Sequence, residues 1–181
     1  MKGIVFTKLN EFVEEVWGLE FWDELLDESE LPSGGAYTTV EYYDDQELFT
    51  LVGKISEKKG ISGGDAQIAF GRWLFKGLYL AAPPDVHHFT DVFTFLHGVQ
   101  NVIHVEVKKL NPNVLLPEFD FLSETDTELE FRYRSPRNMC QFCEGLVYGL
   151  SEHTNQTVEV THTKCVHVGD EECILNVKKV T

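Results

Sequence analysis

The 181-residue chain carries 30 Asp and Glu against 15 Lys and Arg, a net charge of -15. That balance excludes ordinary nucleic-acid binding, because phosphate neutralisation needs a surplus of cations, and it disfavours anionic membrane surfaces. With 43% hydrophobic and 12% aromatic residues, the length predicts one domain (residues 1–181) that buries roughly 70% of its unfolded surface without a disulfide scaffold.

The opening Met1-Lys2-Gly3-Ile4-Val5-Phe6-Thr7-Lys8 has too short an apolar run for a signal peptide. No stretch of about 18 apolar residues follows it. The expectation is a cytoplasmic protein without a membrane span, in which four cysteines serve as thiols or metal ligands. Its acidity suits a partner protein with a basic face.

In chain order, apolar periodicity predicts helices over Asn10–Trp17, Glu20–Glu28, Tyr43–Lys58 with a break, and Gly63–Ala82. Ser62 or Asp65 caps the fourth, and Pro83-Pro84 ends it. A long helix runs from Asp85 to about Leu110, and a later one from Pro136 to Glu152 with Ser135 as its N-cap and Pro136 in its first turn. Alternation predicts strands at Glu118–Leu122, Glu128–Arg134, Thr157–Val168 and Cys173–Val180, with a turn at Gly169-Asp170. The fold class is therefore α+β: N-terminal helices and a long helix packed with a C-terminal antiparallel sheet. Residues 1–62 form its mainly helical part, and 63–181 carry the long helix, the sheet and the motif below.

Tyr133, Ser135 and Arg137 stand at alternate positions, which on an extended segment share one face. Two hydroxyls and a guanidinium fork there suit a pair of carboxylates, such as the propionates of haem. His104 lies in a largely apolar helical pattern, and a neutral histidine is a common axial ligand of haem iron. His97 occupies nearly the same helix face, so spacing alone does not choose between the two. Cys140-Gln141-Phe142-Cys143-Glu144 lacks the histidine of a covalent attachment motif, so the haem expected is noncovalent haem b.

On these residues the chain resembles the haem nitric oxide/oxygen binding (H-NOX) family, relatives of the soluble guanylate cyclase haem domain. The family's Y-x-S-x-R motif stands as Tyr133-x-Ser135-x-Arg137. Its proximal histidine precedes a proline by eight residues, as His104 precedes Pro112 and His97 does not. The proline that presses on the haem matches Pro117, and the residue touching the distal face matches Ile4 or Val5. The resemblance implies a haem-buried fold and a sensor without catalysis. It also implies a separate signalling partner, a histidine kinase or a cyclic-di-GMP synthase or phosphodiesterase, because the chain ends before any output domain.

Stable O₂ binding usually wants a distal hydrogen-bond donor, since bound oxygen carries partial negative charge. In O₂-binding members the resemblance places a tyrosine about five residues past the motif arginine, where this chain has Phe142. Gln141 and Tyr148 are the alternative donors. The expectation is an NO sensor that also binds CO. An O₂ sensor or carrier and a haem-free module for apolar ligands are the alternatives.

Cys140 or Cys143 with His162, Cys165 and Cys173 forms a Cys₃His set suited to zinc. On a regular strand 162 and 165 face opposite sides, so the set requires a bulge or strand end, and His167 is the alternative ligand. Some bacterial H-NOX proteins bind zinc with such a set, and that match favours Cys140, His162, Cys165 and Cys173 with a structural role.

Overall fold

The structure is a computed structural model and describes residues 1–180. The chain separates into two compact units, Met1–Phe70 and Gly71–Thr181.

The first unit is helical. Helix α1 spans Gly3–Trp17 and buries Phe6, Leu9, Phe12 and Val13, a spacing that sets one apolar stripe inward. It begins seven residues before the expected Asn10, because Gly3 lets the chain start its helix against Thr38. A Cβ on Gly3 would fall 1.8 Å from the Thr38 carbonyl oxygen. Helix α2 (Leu19–Asp27) buries Phe21, Trp22 and Leu25.

Helix α3 spans Asp45–Lys59, capped by the Asp44 carboxylate, which accepts the Gln46 N–H at 2.9 Å. The break expected within it does not occur: Leu48, Leu51, Val52 and Ile55 keep one face buried on either side of Gly53. Packing here outweighs the low helix propensity of a single glycine. Glu47 is buried but satisfied, accepting from Ser33 and, at 2.9 Å, from the Tyr37 hydroxyl. Helix α4 (Gly63–Ala81) opens with a reciprocal cap, so both residues named for that role fill it. Ser62 Oγ accepts the Asp65 N–H at 3.0 Å, and Asp65 Oδ2 accepts the Ser62 N–H at 3.3 Å.

The second unit packs helices on a sheet. The long helix expected from Asp85 is divided. A 3₁₀ turn at Pro84–His88 precedes α5 (Val92–Gly98), a π-helical turn (Val99–Ile103) and α6 (His104–Leu110). Asp91 restarts the helix by accepting the Phe93 and Thr94 N–H groups at 2.9 and 3.2 Å.

Four strands follow, β1 (Glu118–Glu124), β2 (Glu128–Arg134), β3 (Val158–Lys164) and β4 (Cys173–Lys179). They pair antiparallel in the order β1-β2-β4-β3. Alternation holds: Leu129, Phe131, Tyr133, Val158, Val160, Leu175 and Val177 are buried on one face. Arg132 and Arg134 on the other face pair with Asp120, Glu118 and Glu172.

Helix α7 spans Cys140–Thr154 and not Pro136–Glu152. Ser135 Oγ accepts the Arg137 N–H at 3.2 Å in a local turn and does not cap α7. Asn138 then takes a left-handed φ of 50°, which reorients the chain before the helix starts. Helix α7 crosses the later part of α4 at backbone contact. A Cβ on Gly149 would fall 2.4 Å from Phe75 Cβ and 2.7 Å from the Arg72 carbonyl oxygen. The strand expected over Thr157–Val168 stops at Lys164, and a 3₁₀ turn at Val166–Val168 carries the chain to β4.

Candidate functional site

His104 stands at the junction of the π turn and α6. It is half-buried, with the ring of Phe119 edge-on at 5.7 Å between centroids. Burial pulls its pKa down to about 4, and the ammonium of Lys108 adds to that effect. The ring is therefore neutral at physiological pH. Its Nδ1 is buried and has no hydrogen-bond partner among the described residues. A buried ring nitrogen without a partner is costly unless something binds the imidazole.

His97 is engaged by its neighbours. Its Nε2 lies 2.7 Å from Glu124, and its ring packs 3.9 Å from that of Phe121. Between the two histidines, Gln100 Oε1 accepts the Phe119 N–H at 3.1 Å, which ties the π turn to β1.

Tyr133 ends β2 as a buried residue opposite Phe119 and Cys173. Burial raises its phenol pKa, as does the nearby Cys143 thiol, while a hydrogen bond with Ser135 partly offsets them. The motif is extended only through Arg134, so Arg137 reaches the site from a turn rather than from the strand face the sequence implied. Arg137 is half-buried and donates from Nη1 to the Leu115 carbonyl at 2.7 Å. Tyr133, Ser135, Leu115 and Leu116 line a cleft of about 800 Å³ beside β1 and β2. Pro117 is half-buried immediately before β1.

The remaining residues scatter as their elements dictate. Val5 lies half-buried on α1 of the first unit, and Phe142 half-buried on α7. Gln141 Oε1 accepts from the Cys140 thiol at 3.3 Å. Tyr148 has a raised pKa from burial and from Glu144, and it bonds the Val160 backbone. It lines a separate cleft with Arg72 and Glu152. Gln141 is held there through its acceptor oxygen, whereas the Tyr148 phenol is engaged by Glu144 and the Val160 backbone.

Three thiols converge. The ligand atoms of Cys140, Cys165 and Cys173 all lie within 4.8 Å of one another, and all three residues are buried. Cys140 and Cys165 are 3.7 Å apart at sulfur, close to the ~3.8 Å separating two sulfurs on a tetrahedral ion with 2.3 Å bonds. Cys143 stays in the apolar core, its thiol pushed up to about 12 by burial. The bulge that the geometry required is present: the β3–β4 register shifts between His162 and Lys164. His162 Nε2 holds Glu144 at 2.9 Å, and the histidine stands outside the group of three thiols whose ligand atoms lie within 4.8 Å of one another. His167 faces elsewhere, on the Asn138 carbonyl at 2.7 Å. Glu144 was not singled out from the sequence, although its four-residue spacing from Cys140 marks a shared helix face.

The family model for haem-NO-binding proteins matches residues 2–162. The chain belongs to the H-NOX family. Among solved structures it is similar to an Fe(II) unliganded H-NOX protein from K. algicida, at 31% identity and TM-score 0.90, covering 100% of this chain and 97% of that one. An H-NOX protein from S. oneidensis in the Fe(II)NO state gives 32% identity and TM-score 0.91, with 100% of both chains covered. The IWP-051-bound H-NOX from Shewanella woodyi in the Fe(II)CO state gives 35% identity and TM-score 0.82, over 99% of this chain and 95% of that one. No curated protein matches the sequence.

The family binds haem and diatomic gases such as NO and CO, and its members are sensor domains rather than catalysts. The fold is the H-NOX α+β fold. A neutral, partly buried His104 with an unpartnered ring nitrogen fits a haem-binding role. No helix among the described residues is long and apolar enough to cross a membrane.

Proposed function

We propose that this H-NOX domain is a nitric oxide sensor that holds haem b on His104 and forms no stable O₂ complex. The observation that carries the reading is the state of His104: neutral through burial, with a buried Nδ1 that has no hydrogen-bond partner among the described residues. When bound, haem would supply a ferrous iron able to take NO, and His104 is the residue that would hold that iron.

The chain contributes the rest. Tyr133, Ser135 and Arg137 supply two hydroxyls and a cation suited to the propionates. Pro117, at the entry to β1, supplies a rigid apolar contact for the ring. His104 acts as a tether on a helix that is fastened to β1 by side-chain bonds of Gln100 to Phe119 and His97 to Glu124. Releasing the imidazole changes what restrains that helix, and a surface that differs between the two states is what a partner reads. We assign that partner as a separate signalling enzyme, a histidine kinase or a cyclic-di-GMP synthase or phosphodiesterase. NO selectivity over O₂ rests on the phenyl side chain of Phe142 and on the engagement of the Tyr148 phenol elsewhere.

The test is an anaerobic absorption spectrum of the ferrous protein, repeated with NO and with air. A five-coordinate ferrous haem whose NO adduct lacks the histidine bond, with no persistent oxy spectrum, supports the reading. A persistent oxy spectrum turns it into an O₂ sensor or carrier. Haem-supplied protein without a Soret band leaves a module for apolar ligands.

A second reading concerns the thiol cluster. The sulfur spacing of Cys140, Cys165 and Cys173 favours a structural zinc ion; His162, beyond that group of three, would be the fourth ligand. Metal analysis of protein purified under reducing conditions, with Cys173→Ala as control, tests it. One zinc per chain, lost in the variant, is expected.

A further inference from the structure

Glu144 is a carboxylate that reaches toward the thiol cluster from the same helix as one of its thiols. It lies one turn beyond Cys140 on α7, so the two side chains project from one face. Cys140 reaches Cys165 from that face, and Glu144 reaches His162 Nε2 at 2.9 Å. Neither side chain of that pair is loosely held, with 16% of His162 and 14% of Glu144 exposed. The bulge between His162 and Lys164 lets the histidine turn toward α7 while Cys165, three residues on, still enters the cluster.

We propose that Glu144 is a positioning residue for zinc: its carboxylate takes the Nε2–H of His162, fixing the tautomer and the ring plane so that Nδ1 is the nitrogen offered to the metal. The proposal rests on the zinc reading above. A histidine ligand is oriented and made more basic when its second nitrogen donates to a carboxylate, and loss of such a partner typically weakens metal affinity ten- to a hundredfold. The pairing also makes chemical sense without the metal, since it satisfies two half-buried polar groups at once. Helix α7 would then supply both a ligand and the orienter of another ligand, while the β3–β4 connection supplies the rest.

The experiment is a double-mutant cycle on the full chain, stripped of metal under reducing conditions and titrated with zinc against a chromophoric chelator. Glu144→Ala is expected to weaken zinc binding by about ten- to a hundredfold, and Glu144→Gln by less, because its amide oxygen still accepts the Nε2–H. In a His162→Ala background, Glu144→Ala is expected to cost nothing further. Cobalt substituted into Glu144→Ala should show weakened or altered nitrogen ligation in its visible bands, while Glu144→Gln restores most of the wild-type spectrum. Equal losses in both backgrounds would mean that Glu144 acts structurally or ligates directly, and would overturn the positioning role alone. Wild-type affinity in Glu144→Ala overturns it too. A wild-type chain that takes up no zinc overturns both this inference and the zinc reading.

Discussion

The side-chain carbonyl of Gln100 accepts the backbone N–H of Phe119 at 3.1 Å, and Phe119 in turn presents its ring edge to His104. One amide therefore ties the helix that carries the candidate iron ligand to the edge strand of the sheet. Phe119 is buried, so its N–H loses its partner if Gln100 is replaced by an apolar side chain. Gln100→Leu is expected to cost about 1–3 kcal/mol. For a chain of this length each kcal/mol corresponds to roughly 2–4 °C in Tm. Thermal unfolding checks the size. If the tie also restrains His104, the ferrous spectrum of the haem-loaded variant will shift as well.

Phe142→Tyr tests the gas selectivity. A phenol at this point of α7 adds the donor that the resemblance associates with O₂ binding. One neutral hydrogen bond, worth about 0.5–1.5 kcal/mol, should slow O₂ loss by up to roughly tenfold. Stopped-flow O₂ dissociation on the variant measures this. An unchanged rate would remove Phe142 from the account of selectivity.

Much of this was legible in the sequence, and the failures have physical causes. The motif and the histidine–proline spacing are local patterns that pointed to the family, and alternation with the Gly169-Asp170 turn located the strands and the β3–β4 hairpin. Preferring His104 over His97 required the family spacing, and the contacts of His97 with Glu124 and Phe121 arise only in three dimensions. The break expected somewhere in Tyr43–Lys58 does not occur, because burial keeps one helix face intact on both sides of Gly53. Ser135-Pro136 carries a helix-start pattern yet makes a turn, because the left-handed Asn138 intervenes. Glu144 went unnoticed because its partner His162 lies 18 residues away and meets it through tertiary contact.

Asp91 gives a prediction in pH. Its burial opposes ionisation, but Lys179, the Thr94 backbone and Gln156 outweigh that and hold its pKa at about 2, below the ordinary 3.8. A depressed carboxylate contributes stability that is present above pH 3.8 and lost as pH falls toward 2. Asp91→Asn should cost on the order of 1–2 kcal/mol at neutral pH, after allowance for the carboxylate's partial exposure. The difference from wild type should shrink between pH 3.8 and 2. Urea unfolding at neutral pH and across that window checks both parts.

Two glycines should respond with opposite sign. Gly149→Ala forces a methyl into Phe75 and the Arg72 carbonyl, and is expected to destabilise by about 1–3 kcal/mol. Gly53→Ala meets nothing within 4 Å in the middle of α3. It should stabilise by about 0.5–1 kcal/mol through helix propensity. Paired thermal melts decide both, and a destabilised Gly53→Ala would show that α3 is less regular than described.

The π turn at Val99–Ile103 has a kinematic consequence for whatever His104 binds. A π turn holds one residue more than the α-helix that would replace it, and it cannot shed that residue by degrees. Any return to α geometry turns everything beyond it by about 100° and displaces it by about 1.5 Å along the axis. Motion of His104 by this route would come as a click rather than a drift, with the imidazole either in register with Phe119 or a full residue out of it.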